Sequence, residues 1–112
     1  MAEQTYLDKV KKIIAEHPFV MLSKSWCPDC HYTYGIWERY GVMSKIHIIE
    51  LDKLEDQENA MHLEKAFTQI AGRKWVPSLF FNGEFIGTEK ELKDWDEQGK
   101  LDEVFKKAGL IQ

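Results

Sequence analysis

The fold is decided by residues 19–30, which read FVMLSKSWCPDC. The continuous apolar run Phe19–Leu22 predicts a short buried strand. Pro28 suits the first turn of a helix, because the amide proton that proline lacks would have no partner within the helix. Residues 29–40 continue as a predicted helix. The sequence therefore places Cys27 at the point where a buried strand ends and a helix begins.

Further elements are predicted on both sides of this segment. Apolar spacing indicates a helix through Leu7 and Ile14, a strand over Ile46–Leu51 and a helix through Leu63 and Ile70. A hairpin follows, in which the turn Asn82-Gly83 joins the strands Ser78–Phe81 and Glu84–Ile86. Two short helices are predicted between Glu89 and Gly109. The first two strands are joined through a helix, so we expect them to pair in parallel, with the hairpin adding antiparallel strands. This layout is typical of a thioredoxin-like α/β fold, a four-stranded mixed β-sheet flanked by helices.

Composition excludes several classes of protein. The chain has 112 residues, 44% of them apolar and 30% charged, which fits a single domain over residues 1–112. Its formal net charge of −4 argues against binding to nucleic acid. No apolar run approaches the roughly 20 residues that cross a bilayer, and the lysines of the first helix do not suit a signal peptide. We therefore expect a cytoplasmic monomer without membrane or nucleic-acid partners.

Both cysteines of the chain lie in the segment Cys27-Pro28-Asp29-Cys30, which indicates thiol chemistry. Only a thiolate attacks a disulfide, and the first turn of a helix stabilises negative charge through its free amides and its dipole. Lys24 should stabilise the Cys27 thiolate further, whereas the Asp29 carboxylate opposes it. Cys30, one helical turn further in, should be buried and stay a thiol. The predicted catalytic pair is a nucleophile, Cys27, and a resolving thiol, Cys30.

Two metal-based alternatives fit the same motif less well. A Cys-x-x-Cys pair can be half of a zinc site, but tetrahedral zinc needs two more ligands, and the four histidines show no matching spacing. Residues 27–31, CPDCH, also fit the attachment pattern of a c-type haem. Covalent haem attachment normally requires export, and the predicted strands do not suit a small helical cytochrome. We therefore expect redox chemistry at a site without metal.

Two segments resemble one known family, the dithiol glutaredoxins of the thioredoxin superfamily. Residues 23–30, SKSWCPDC, are similar to the glutaredoxin active site, usually Ser-Lys-Thr-Tyr-Cys-Pro-Tyr-Cys, and the Trp-Cys-Pro-Asp-Cys variant resembles fungal dithiol members. Residues 75–87, WVPSLFFNGEFIG, are similar to that family's Thr-Val-Pro loop and hairpin. The resemblance implies a redox-active enzyme that reduces protein disulfides or glutathione mixed disulfides. Glutathione would be its co-substrate, with no tightly bound cofactor, and glutathionylated or disulfide-containing proteins would be its partners.

The resemblance also implies which residues form the site. Cys27 and Cys30 match the nucleophile and the resolving thiol, and Pro77 matches a cis-proline that leaves the Val76 backbone free to pair with substrate. The remaining residues expected to bind glutathione are Lys24, Arg73 and Lys74 at its glycine carboxylate, Trp26 as a wall beside Cys27, and Glu91 at its γ-glutamyl end. Asp29 and Trp75 replace residues that are usual in the family, and Lys90 replaces a serine, so we expect weak glutathione binding and low turnover.

Two alternative functions remain open at the level of the sequence. A thioredoxin-related protein disulfide reductase is favoured by Trp26 and Asp29, because Trp-Cys-Pro-Asp-Cys also occurs among thioredoxin-related proteins. A binding module for a glutathione-ligated iron–sulfur cluster is the alternative from another class. Pro28 disfavours it, because such sites usually have glycine after the first cysteine.

Overall fold

Helices and strands alternate along most of the chain. The computed structural model describes residues 2–72 and 76–112. Its elements are α1 (Ala2–Glu16), β1 (Phe19–Ser23), α2 (Pro28–Tyr40), β2 (His47–Glu50), α3 (Gln57–Ala71), β3 (Ser78–Phe81), β4 (Glu84–Gly87), α4 (Glu89–Glu97) and α5 (Leu101–Ala108). Short 3-10 turns at Met43–Lys45 and Leu51–Lys53 flank β2. None of the helices in the described ranges combines the length and the apolar character that a bilayer crossing requires.

The strands form one mixed sheet in the order β2-β1-β3-β4. β1 pairs in parallel with β2 and antiparallel with β3, and β4 pairs antiparallel with β3. Successive side chains of β1 enter different apolar clusters, Met21 with Trp37 in one and Val20 with Phe67 in the other. The two clusters therefore lie on opposite faces of the sheet, because neighbouring strand residues point to opposite sides. The fold class predicted from the sequence is confirmed.

The residues at the two ends of α2 and in the hairpin turn have the backbone angles that their chemistry favours. Cys27 is the N-cap residue with extended backbone angles (φ −79°, ψ 122°), and Pro28 is the first helical residue. Gly41 ends the helix in the left-handed conformation, with φ 67°. The hairpin turn has positive φ at Asn82 (53°) and Gly83 (86°), as a type I′ turn requires. Local chemistry therefore fixes both the start of α2 and the hairpin.

Several element boundaries differ by a residue or more from the sequence-based expectation, and two of the differences have a clear physical reason. α3 begins at Gln57, well before the apolar spacing that indicated it, because the Asp56 side chain caps the helix by accepting hydrogen bonds from the backbone N–H groups of Glu58 and Asn59. β2 ends at Glu50 because the chain turns into a 3-10 helix at the next residue. Both differences come from polar and turn geometry that apolar periodicity does not record.

Candidate active site

Cys27 lies between the end of β1 and the start of α2 and faces the loop before β3. Its Sγ donates a weak hydrogen bond to the backbone carbonyl of Val76, with 3.9 Å between the sulfur and the oxygen. The residue is 7% exposed, and both cysteines are free. The loop before Cys27 is closed by a hydrogen bond from its N–H to the Lys24 carbonyl at 3.1 Å. The sulfur therefore lies between a helix N-terminus and the Val76 backbone.

The peptide bond between Val76 and Pro77 is cis, as the resemblance implied. It belongs to the segment whose Val76 carbonyl contacts Cys27, so the loop before β3 forms one side of the site. Arg73 and Lys74 of the predicted glutathione site lie outside the described residues, as does Trp75.

Cys30 is fully buried behind Cys27, as expected from its position one turn into α2. Burial raises the pKa of its thiol from an ordinary 9.0 to about 11, and the neighbouring Cys27 acts in the same direction. Hydrogen bonds with the Ser23 side chain and the Lys24 backbone work against this shift of the Cys30 pKa without cancelling it. At neutral pH Cys30 is therefore a protonated thiol.

A polar network beneath Cys30 was not predicted. The hydroxyls of Ser23 and Tyr34 are hydrogen-bonded at 2.5 Å, and Tyr34 donates to the Glu50 carboxylate at 2.9 Å. Burial raises the pKa of Tyr34 to about 12, and the Glu50 carboxylate contributes to the increase. One feature of the sequence could have indicated that Tyr34 lies near Cys30. Tyr34 is four positions after Cys30, and residues at that spacing share one face of a helix.

Lys24, the predicted cation of the site, has a carboxylate partner that the sequence did not indicate. Its ammonium forms an ion pair with the Glu64 carboxylate of α3 at 3.1 Å and lies 5.8 Å from the centre of the Trp26 ring. Trp26 itself is 64% exposed. The expected cation is therefore at the site, but it already has a carboxylate partner that sequence reasoning missed.

Asp52 is a second carboxylate at the site that was not predicted. It accepts hydrogen bonds from the backbone N–H of Ser25, at 2.8 Å, and from the Ser25 hydroxyl. These bonds hold the pKa of the Asp52 carboxyl below its ordinary value. The parallel pairing of the first two strands could have indicated this contact. Ser23 pairs with Glu50, and Ser25 and Asp52 each lie two residues after that pair.

Asp29 and Glu91 each have a partner within the protein. The Asp29 carboxylate lies 3.9 Å from the Lys93 ammonium of α4. Glu91 completes a capping box at the start of α4, because its Oε1 accepts the Thr88 N–H at 2.7 Å while the Thr88 hydroxyl accepts the Lys90 N–H. The contact of Glu91 with a γ-glutamyl group stays a prediction. The Glu91 carboxylate also has a structural role, because it caps the start of α4.

Comparison with known proteins agrees with this geometry. A sequence model of the glutaredoxin family matches residues 19–86. The chain is 35% identical over 109 residues to glutaredoxin-8 of Saccharomyces cerevisiae, covering 95% of this chain and 96% of that protein. It is 31% identical to glutaredoxin-1 of the same organism, covering 93% of this chain and 94% of that protein. The solution structure of the yeast dithiol glutaredoxin Grx8 is similar with a TM-score of 0.84 at 32% identity, covering 96% and 98% of the two chains. The predicted thioredoxin-like fold and the resemblance to fungal dithiol members, the glutaredoxin 8 type in particular, are confirmed.

Proposed function

The chain belongs to the glutaredoxin family, and from this membership we propose that it is a glutathione-dependent thiol–disulfide oxidoreductase with Cys27 as its nucleophile. One observation carries the assignment of the nucleophile: Cys27 is the N-cap of α2, and its sulfur faces the Val76 carbonyl. A sulfur at that position lies at the positive end of the helix dipole, which stabilises a thiolate.

The reaction proceeds in two displacements. The Cys27 thiolate attacks one sulfur of a protein disulfide or of a glutathione mixed disulfide, the substrate S–S bond breaks, and the released thiolate takes up a proton. Cys30 then loses its proton, attacks the Cys27 sulfur and releases the second thiol, leaving a Cys27–Cys30 disulfide. Two glutathione molecules return this disulfide to the dithiol and leave as glutathione disulfide. With a glutathionylated substrate, glutathione can instead resolve the mixed disulfide directly.

The substrate is held against the cis-proline loop. We place the peptide-like backbone of glutathione along Val76 and Pro77, its glycine carboxylate near Lys24, Arg73 and Lys74, and its γ-glutamyl end towards Glu91, with Trp26 beside the sulfur. Glutathione is a co-substrate here and not a resident cofactor. We further propose that the protein acts as a monomer in the cytosol, where a reducing glutathione pool supplies the electrons.

The two alternative functions can be distinguished by the electron donor that the protein uses and by the colour of the purified protein. A thioredoxin-related reductase would be reduced by thioredoxin reductase and not by glutathione. The iron–sulfur module is not favoured over the disulfide reductase by the similarity to the two yeast glutaredoxins. Anaerobically purified protein with a brown colour would indicate a cluster.

Single-cysteine variants test the proposal. Cys27→Ser should abolish reduction of a glutathionylated peptide in an assay coupled to glutathione and glutathione reductase. Cys30→Ser should keep deglutathionylation, which needs only the first thiol, but lose the reduction of intramolecular protein disulfides. Turnover by Cys27→Ser, or reduction by thioredoxin reductase alone in place of glutathione, would contradict the assignment.

A further inference from the structure

A cleft of about 240 Å³ is lined in part by Trp26, the residue before Cys27. The residues that line it include Lys24, Trp26, Asp52, Gln57, Met61 and Glu64. Trp26 and Met61, 64% and 46% exposed, are the two large apolar side chains that the described part of the chain exposes. A surface that includes the residue before the proposed nucleophile and combines exposed apolar groups with charges is suited to binding a substrate.

The charges of this cleft do not suit a second carboxylate. Lys24 is its single cation, against the carboxylates of Asp52 and Glu64, which gives the described lining a formal charge of 1 − 2 = −1. The Lys24 ammonium and the Glu64 carboxylate are 3.1 Å apart, and their side chains are only 24% and 19% exposed. Because water screens such a pair less than one on the open surface, an incoming anion must compete with Glu64 for Lys24.

We propose that Glu64 is a specificity-determining residue that occupies the anion-binding position of Lys24 and so selects against the free glycine carboxylate of glutathione. A polypeptide substrate has no such carboxylate, since its chain continues as an uncharged amide at the equivalent position. The site therefore binds the glutathione half of a mixed disulfide less tightly than a free Lys24 would allow, and it favours a polypeptide at that position. This inference rests on the proposed function and identifies the substrate class of the same site.

A matched pair of substrates tests the role of the carboxylate. One cysteine-containing peptide is joined by a disulfide either to glutathione or to glutathione whose glycine carboxylate is amidated, and kcat and KM are measured for both. The wild-type protein should use the amidated form at least as well as the free acid. Glu64→Gln frees Lys24, so the KM for the free acid should fall by roughly tenfold, equivalent to about 1.4 kcal/mol, while kcat and the KM for the amide stay nearly constant.

Glu58→Gln is the matched control. It removes the same charge from the same helix, but the Glu58 side chain is 80% exposed and its carboxylate lies 4.0 Å from His62, away from Lys24. This variant should keep the wild-type ratio of the two substrates. A gain for one substrate alone cannot come from misfolding, which would lower the activity towards both.

Two outcomes would overturn the role of Glu64: a wild-type protein that strongly prefers the free acid, or a Glu64→Gln protein in which kcat/KM for the two substrates keeps the wild-type ratio. With Cys27→Ser inactive, either of these refutes the inference and leaves the proposed function standing. Turnover by Cys27→Ser would refute the proposed function itself.

Discussion

The carboxylate of Asp52 accepts the backbone N–H of Ser25 at 2.8 Å across 27 positions of sequence, and it also accepts the Ser25 hydroxyl. The two residues follow the paired ends of β1 and β2, where Ser23 lies opposite Glu50. The loop that carries Cys27 is thus tied to the 3-10 turn that follows β2 and not only to its own helix. This link helps to hold the loop of the nucleophile in position.

Replacing Asp52 should therefore impair catalysis more than folding. Asp52→Ala removes both hydrogen bonds to Ser25, and we expect kcat/KM to fall about tenfold, because small displacements of a reacting group are costly. Ser25→Ala keeps the backbone hydrogen bond and should lose much less. Steady-state turnover of a glutathionylated peptide is measured for both variants. An equal loss of kcat/KM in the two would show that the hydrogen bond from Asp52 to the Ser25 backbone does not position the loop.

The hydrogen-bond chain beneath Cys30 should contribute to stability. Tyr34→Phe removes one hydrogen-bond partner of Ser23, a residue with no exposed surface, and we expect the free energy of unfolding to drop by about 1 kcal/mol. Tyr40→Phe is the control on the same helix, because its hydroxyl donates to Asp102 at the surface. Urea unfolding compares the two variants, and equal losses would contradict a special role for the buried chain.

Alkaline pH should reveal the buried thiol. The folded pKa of Cys30 is raised from 9.0 to about 11, so between these values the unfolded chain ionises at Cys30 while the folded protein does not. The folded state then binds more protons, and its stability must fall as pH rises. Under reducing conditions the wild type should lose on the order of 2 to 3 kcal/mol relative to Cys30→Ser between about pH 9 and 11. Parallel stability curves for the two proteins would show that the thiol is solvated.

The sequence predicts the position of the nucleophile better than its surroundings. The end of β1, Pro28 and the hairpin turn are local signals, and α2 and the hairpin adopt the conformations that these residues favour. The partners of the site side chains are not local. The pairing of Lys24 with Glu64 depends on how α3 packs against the loop after β1, and no spacing along the chain records that contact.

The capping box of α4 gives a last prediction about the predicted γ-glutamyl side of the site. Gly87 has φ +138°, a conformation that favours glycine, and a Cβ at this position would overlap the Glu91 side chain. Gly87→Ala should therefore both strain the backbone and push Glu91 away from the Thr88 N–H, at a cost of more than about 1 kcal/mol. Gly99→Ala is the matched control, since Gly99 also has positive φ (+69°) but no atom within 4 Å of the place that a methyl group would occupy. Its cost should be limited to the backbone strain. Urea denaturation of the two variants measures the difference, and a Gly87→Ala protein no less stable than Gly99→Ala would show that Glu91 yields without cost and that its capping role is dispensable.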